Sequence, residues 1–191
     1  MNPINIDISN INLIKTKNAV NYKKTDDNST YKKNYGIVNK NNTRISFEIK
    51  NIKAPFGIEK YNNQQILNII INPTKNNEHH NLFIALKNLD DDFCKLDKIQ
   101  NIAVSNKDIL LDLQNKKYYS NLKKNNNDYI IRTHILGTPN IYTMINGKKF
   151  PVTTDDIDKK NLNIKIEFGT FWVTDENYGI LLYAKDIMLV A

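Results

Sequence analysis

One cysteine, Cys94, stands in 191 residues. An internal disulfide framework is therefore excluded, and a reducing compartment is the matching environment. As a lone thiol on an apolar helical pattern it reads as packing rather than chemistry. Long apolar runs are missing too. The longest, around Ile69, Ile70 and Ile71, falls far short of the roughly 18 residues of a spanning helix, so no membrane partner is expected. The opening MNPINIDISN lacks the basic-then-apolar order of a secretory signal, and with Asp7 and no arginine it is unlike a transit peptide.

Catalytic signatures are absent as well: there is no Walker loop, GxGxxG, GxSxG, HExxH or CxxC. His79 and His80 adjoin Glu78, but consecutive helical residues face different ways and make poor co-ligands. Asp90, Asp91, Asp92 and Asp97 fall mainly off an apolar helical stripe and read as a solvated face. Asp155, Asp156 and Asp158 share a polar connection with Lys159 and Lys160, without the fixed separation a catalytic carboxylate pair needs. With no nucleophile, base and orienter set, the expectation is a protein that is not an enzyme, with no catalytic residues, no metal and no cofactor.

What the chain does have is a globular balance, 40% hydrophobic and 25% charged, with a mean hydropathy of −0.53. That composition can bury a core. The net charge is +7 and unevenly spread: residues 1–60 hold eleven basic and five acidic residues, the remainder sixteen and fifteen. The basic surplus in the first third points to an anionic partner such as nucleic acid, or to a solubilising surface. The abundance of Asn, Lys and Ile matches an AT-rich coding bias, which weakens any argument from a single lysine.

Alternating segments dominate. Residues 4–15 read as a strand, and 21–36 as a long exposed loop or hairpin tip. In 43–57, Ile45, Phe47 and Ile49 alternate with Arg44, Ser46, Glu48 and Lys50 until Ala54-Pro55 ends the strand. Residues 65–72 are a β-branched run, closed by Asn72-Pro73. Leu82, Leu86, Leu89, Phe93 and Leu96 mark one face of a helix over 80–96. Residues 98–127 mix short helical spacing with a Lys/Tyr/Asn-rich connection. Residues 128–136 alternate again, Asn146-Gly147 signals a hairpin, and 162–173 and 178–190 form two long strands joined by TDEN. The sum is a mainly β (α+β) chain, laid out as an OB-fold-like five-stranded Greek-key barrel with an interposed helix and an extra N-terminal strand and loop. No linker divides residues 1–191, so one domain is expected, with 1–42 as N-terminal strand and basic loop and 43–191 as the barrel.

Aromatic residues recur beside cations. Tyr22 precedes Lys23 and Lys24, and Tyr31 precedes Lys32 and Lys33. Lys50, Lys53, Phe56, Lys60 and Tyr61 follow one another; Lys116 and Lys117 precede Tyr118 and Tyr119; Tyr129 shares a strand with Arg132; Tyr142 and Phe150 flank a hairpin carrying Lys148 and Lys149. Single-stranded nucleic acid calls for this combination, cations along the phosphates and aromatic faces under unstacked bases. Lys50, Lys53, Lys148, Lys149 and Arg132 are the candidate phosphate contacts. Phe56, Tyr61, Tyr118, Tyr129, Tyr142 and Phe150 are the candidate stacking residues.

Two segments carry a resemblance. KAPFGIEKYNNQQILNIIIN (53–72) and GTFWVTDENYGILLYAKDIMLV (169–190) resemble the single-stranded-DNA-binding protein family shared by short-tailed phages and nucleo-cytoplasmic large DNA viruses. The resemblance implies an OB-fold that coats single-stranded DNA in viral DNA replication, recombination and repair, inside the infected cell at cytoplasmic or nuclear replication sites. It implies Lys53, Phe56, Tyr61 and Trp172 as family-pattern residues. If the alternation of Ile164, Ile166 and Phe168 continues, however, Trp172 falls on their face and reads as core. Phage members end in an acidic tail that recruits partners; this sequence ends IMLVA, so replication partners are expected to use another surface, and homo-oligomerisation stays open. Two other classes remain beside this one: a structural or protein-interaction β-domain such as a virion component, and an RNA-binding OB module.

Overall fold

The computed structural model describes residues 8–15, 33–61, 64–103, 108–157 and 160–190. The alternating and β-branched segments become strands, as a side-chain period of two requires. In chain order these are β1 (Ile11–Lys15), β2 (Lys33–Asn39), β3 (Ser46–Lys53), β4 (Ile58–Tyr61) and β5 (Gln64–Ile71). Three helices follow, α1 (Asn77–Phe93), α2 (Leu96–Ile102) and α3 (Asp108–Leu113). Then come β6 (Lys117–Tyr119), β7 (Leu122–Asn125), β8 (Asp128–Ile135), β9 (Asn140–Ile145), β10 (Lys148–Pro151), β11 (Asn161–Val173) and β12 (Asn177–Leu189). The protein is mainly β, with a short helical section in mid-chain.

Five strands pair in a closed cycle, β11–β3–β5–β8–β12 and back to β11. All of these pairs are antiparallel except β8–β12. The side chains turned inward are almost wholly aliphatic: Ile49, Leu67, Ile69, Ile131, Ile164, Ile166 and Leu182 are each 2% exposed or less. Burial of each such side chain contributes about 1.5–3 kcal/mol. The short strands extend the cycle. β4 pairs β5, β7 pairs β8, and on β12 the edge opposite β11 takes β6, β8 and β9 in turn, all parallel to it. In the β9–β10 hairpin Asn146 and Gly147 both have positive φ, as a two-residue primed turn demands.

The N-terminal region differs from its sequence reading. Residues 33–36, expected in an exposed loop, open β2, which pairs with β1 on one side and with Thr170–Val173 of β11 on the other. Tyr35, Ile37 and Val38 are buried, and the Asp112 carboxylate accepts from Lys33 Nζ at 2.6 Å and from the Tyr35 hydroxyl at 3.1 Å. The pairs at Tyr22–Lys24 and Tyr31–Lys32 lie outside the described residues. So does the start of the strand expected from residue 4; residues 8–10 form a short 3-10 turn before β1.

α1 begins where Asn76 caps the amides of Glu78 and His79. It ends at Phe93, so Leu96, assigned by spacing to the same stripe, instead opens α2 and is 42% exposed. Asp90 corrects a second expectation. It is half-buried rather than solvated, and its carboxylate accepts from the Tyr118 hydroxyl at 2.7 Å and from the Ser120 hydroxyl. Burial raises its pKa above the usual carboxylate value, against the opposing pull of those two hydrogen bonds. His79 is buried, accepts from the Asn72 amide through Nδ1 at 3.0 Å, and is held below the ordinary histidine value by burial. Asp156 closes a 3-10 turn by accepting from the Thr153 amide and hydroxyl. Among the described residues no helix is long and apolar enough to cross a membrane, and no group of His, Cys, Asp or Glu could hold a metal ion.

Candidate nucleic-acid interface

β11 and β12 run beside each other for their whole length, but not in simple register. Between Phe168 and Thr170 β11 advances two residues while β12 advances one, from Leu182 to Leu181. Gly169 is the extra residue of a β-bulge. A one-residue bulge inverts side-chain parity. Ile164, Ile166 and Phe168 point inward before it; Phe171 and Val173 point inward after it. Trp172 therefore lies on the outer face, half-buried, opposite Gly179. The alternation that assigned it to the core stops at the bulge.

Gly179 explains how the indole can lie there. A Cβ at this position would come 2.9 Å from Trp172 Cζ2 and 2.9 Å from the Tyr119 carbonyl oxygen. Only glycine lets both the indole and β6 approach β12 so closely. The Tyr119 ring meets Trp172 with centroids 6.1 Å apart at 55°, and Lys123 Nζ stands 3.6 Å above the Tyr119 centroid.

These residues border a groove of about 450 Å³ on the outer face of β8, β12 and the end of β11. Arg132 and His134 come from β8, Asn68 from β5, and Leu181 from β12. Asn68 donates to Glu59 at 2.6 Å, and its buried Oδ1 has no hydrogen-bond partner among the described residues. The outer face continues along β12. The Tyr183 ring lies over Gly169, where a Cβ would fall 1.8 Å from Cε2. Glu167 stands 4.0 Å from both Arg44 and Lys185. At the far end Tyr142 aligns with Met188, and Lys149 Nζ stands 4.2 Å from the Tyr142 centroid. Gly179 and Met188 are nine residues apart in the sequence, so the band is roughly 30 Å long at about 3.3 Å per residue.

Of the twelve candidate contact residues, Arg132 and Trp172 line the groove. Tyr142 and Lys149 share its face at the other end of β12. Lys148 and Phe150 lie on the opposite face of the β9–β10 hairpin, paired with Ile145 and Thr143, so the hairpin does not present both aromatics together. Lys53 ends β3, and Phe56, 58% exposed, tips the turn into β4. Lys50 is half-buried at an irregularity of β3, where Asn51 adopts φ 53. Tyr61 ends β4, and its ring lies outside the described side chains.

Two aromatics expected to stack lie outside this groove. Tyr118 packs against Phe93 at 6.0 Å and Tyr178 at 5.5 Å, with its hydroxyl on Asp90; burial raises its pKa well above the ordinary tyrosine value. Tyr129 points to the side of β8 away from Arg132 and meets Phe83 of α1 at 4.5 Å. The groove uses Tyr119 and Lys123 instead. In strands of three and four residues, sequence alone gives no phase by which to choose Tyr119 over Tyr118. The Lys123-Lys124 doublet was the available signal.

No family model matches the sequence, and no curated protein does. Among solved structures, the C-terminally truncated single-stranded DNA-binding protein from bacteriophage Enc34 superposes with a TM-score of 0.48 at 8% identity, over 93% of this chain and 92% of that one.

Proposed function

We propose that this protein binds single-stranded DNA with little regard to sequence and without catalysis, along the outer face from the Trp172 groove toward Tyr142. The observation that carries the reading is one cluster. Two aromatic rings, Trp172 and Tyr119, stand with Lys123 and Arg132 on a single face, held open by Gly179. Aromatic faces for bases and cations for phosphates are what a single strand requires.

The five-stranded cycle supports a finer reading, an OB-type Greek-key barrel with α1 to α3 interposed. In barrels of that type, oligonucleotides bind across the second and third strands and the loops joining strands one to two and four to five. Counted around this cycle, the second and third strands are β5 and β8, which supply Asn68, Arg132 and His134 to the groove. The corresponding loops are the turn carrying Phe56 and the β11–β12 turn carrying Thr174, another groove residue. A role in viral DNA replication, recombination and repair, at replication sites in the infected cell, is supported by the resemblance of segments 53–72 and 169–190.

The test is titration with oligothymidylate, read by intrinsic fluorescence, in competition with duplex DNA and with RNA of equal sequence. Trp172 is the one tryptophan in the chain, so its emission should change on binding. Affinity should fall with salt by about 0.7 log units per log unit for each phosphate contact. Absence of binding at low salt, or a flat salt dependence, refutes the proposal. Stronger competition by RNA would redirect it to that polymer.

A further inference from the structure

The two lysines of β7 face opposite ways. Lys123 pairs with Ile130 and borders the groove; Lys124 pairs with Tyr129 and faces the other side of the β7–β8 hairpin. On that side lies a second cavity, of about 710 Å³, between the start of α1 and the hairpin. Its aromatic wall is Phe83 with Tyr129. Lys75, Lys124 and His80, all exposed, stand around it. Asp128 is the one carboxylate in its lining among the described residues, and it accepts a hydrogen bond from the Asn72 side chain. Among the described pairings β7 has β8 as its single neighbour, so no further strand extends the sheet beyond it.

We infer that this cavity is a second subsite for the same strand. The nucleic acid leaves the Trp172–Tyr119 groove, turns around the edge of β7 at Lys123 and Lys124, and seats a further base and its phosphates in the cavity. Phe83 and Tyr129 form the apolar wall for the base; Lys75 and Lys124 face the phosphates. The occupant follows from charge complementarity and from continuity with the groove. Adjacent lysines on one short strand mark both sides of a single path. The inference rests on the proposed single-strand binding, which it extends from one face to two.

The path predicts a length-dependent effect. Lys75→Glu with Lys124→Glu alters exposed side chains, and the fold should survive, as checked by a thermal melt. Binding is measured with oligothymidylates of about 6 and about 20 nucleotides, bracketing most of the site sizes of such barrels. The double variant should lose on the order of tenfold in affinity for the long oligonucleotide, and less than about twofold for the short one. Lys95→Glu with Lys98→Glu, on exposed residues at the start of α2, makes the same change in net charge and should weaken both lengths equally and slightly. Trp172→Leu should weaken both. A loss in the first variant that is equal at the two lengths, or no larger than the charge control, overturns the second subsite while leaving the groove in place. Unchanged binding by Trp172→Leu overturns the groove, and the subsite with it.

Discussion

Replacing Trp172 by leucine tests the groove at the residue whose position the bulge decides. Leucine keeps apolar cover over Gly179 but offers no π-face. A base stacked on an aromatic side chain contributes about 1–3 kcal/mol, so its loss should raise Kd by roughly 5- to 160-fold. Phosphate contacts stay in place, and the slope of log affinity against log salt should not change. Trp172 lies outside the inward-facing set, which passes from Phe171 to Val173, so the cost to stability should be about 1 kcal/mol or less. Fluorescence anisotropy with a labelled oligothymidylate at two salt concentrations reads both quantities, and a urea melt reads the third. Tyr119→Leu should lose a similar amount. The double variant should lose less than the sum, because the rings are 6.1 Å apart and would stack on the same bound oligonucleotide. A loss below about twofold, or one accompanied by a shallower salt slope, would refute the assignment of Trp172 as a stacking residue.

Other expectations follow from the same geometry. Lys123→Gln and Arg132→Gln should each reduce the salt slope by about 0.7, seen in binding isotherms over a salt series. Gly179→Ala places a Cβ 2.9 Å from both the indole and the Tyr119 carbonyl; it should cost about 1–3 kcal/mol in a thermal melt and weaken binding as well. Deleting Gly169 removes the bulge and sets Phe171, now fully buried, against the register of its neighbours; loss of the cooperative transition in calorimetry is expected. Burial holds the His79 pKa below the ordinary histidine value of 6.5, so as pH falls the unfolded chain takes up the proton first. Stability should therefore rise with pH in the window just below 6.5 and level off above it. His79→Leu should flatten that rise in pH-dependent urea melts, and cost about 1–3 kcal/mol by leaving the Asn72 amide without its acceptor.

Local chemistry was legible in the sequence where it is self-sufficient. Asn146-Gly147 specifies its hairpin through two positive φ values, and the spacing of Leu82, Leu86 and Leu89 specifies a helix face. The helix end was not legible, because Leu96 keeps the spacing after the backbone has turned at Cys94. β2 was hidden by its polar setting: Tyr35, Ile37 and Val38 are a short apolar group among Asn and Lys, and are buried through pairing with a strand more than 130 residues later. Trp172 was misphased because a bulge depends on the partner strand. Tyr129 and Arg132 are both candidate contacts on one strand, although strand alternation sends them to opposite faces, and Asp90 reads as solvated because its two hydroxyl partners come from beyond α3.

The closed cycle also decides which backbone remains available to other chains. β11 and β12, 13 residues each, are flanked on both sides. The strands with a single neighbour among the described residues, β1, β4, β6, β7 and β10, have five residues or fewer. Several carry lysine, at Lys60, Lys117, Lys123, Lys124, Lys148 and Lys149, and β10 ends on Pro151. Short, charged and proline-ended edges are how sheets avoid joining edge to edge. Lysine at these edges therefore has a use apart from the proposed phosphate contacts of Lys123, Lys124 and Lys149, and a chain stripped of all of them should aggregate before any loss of affinity can be measured.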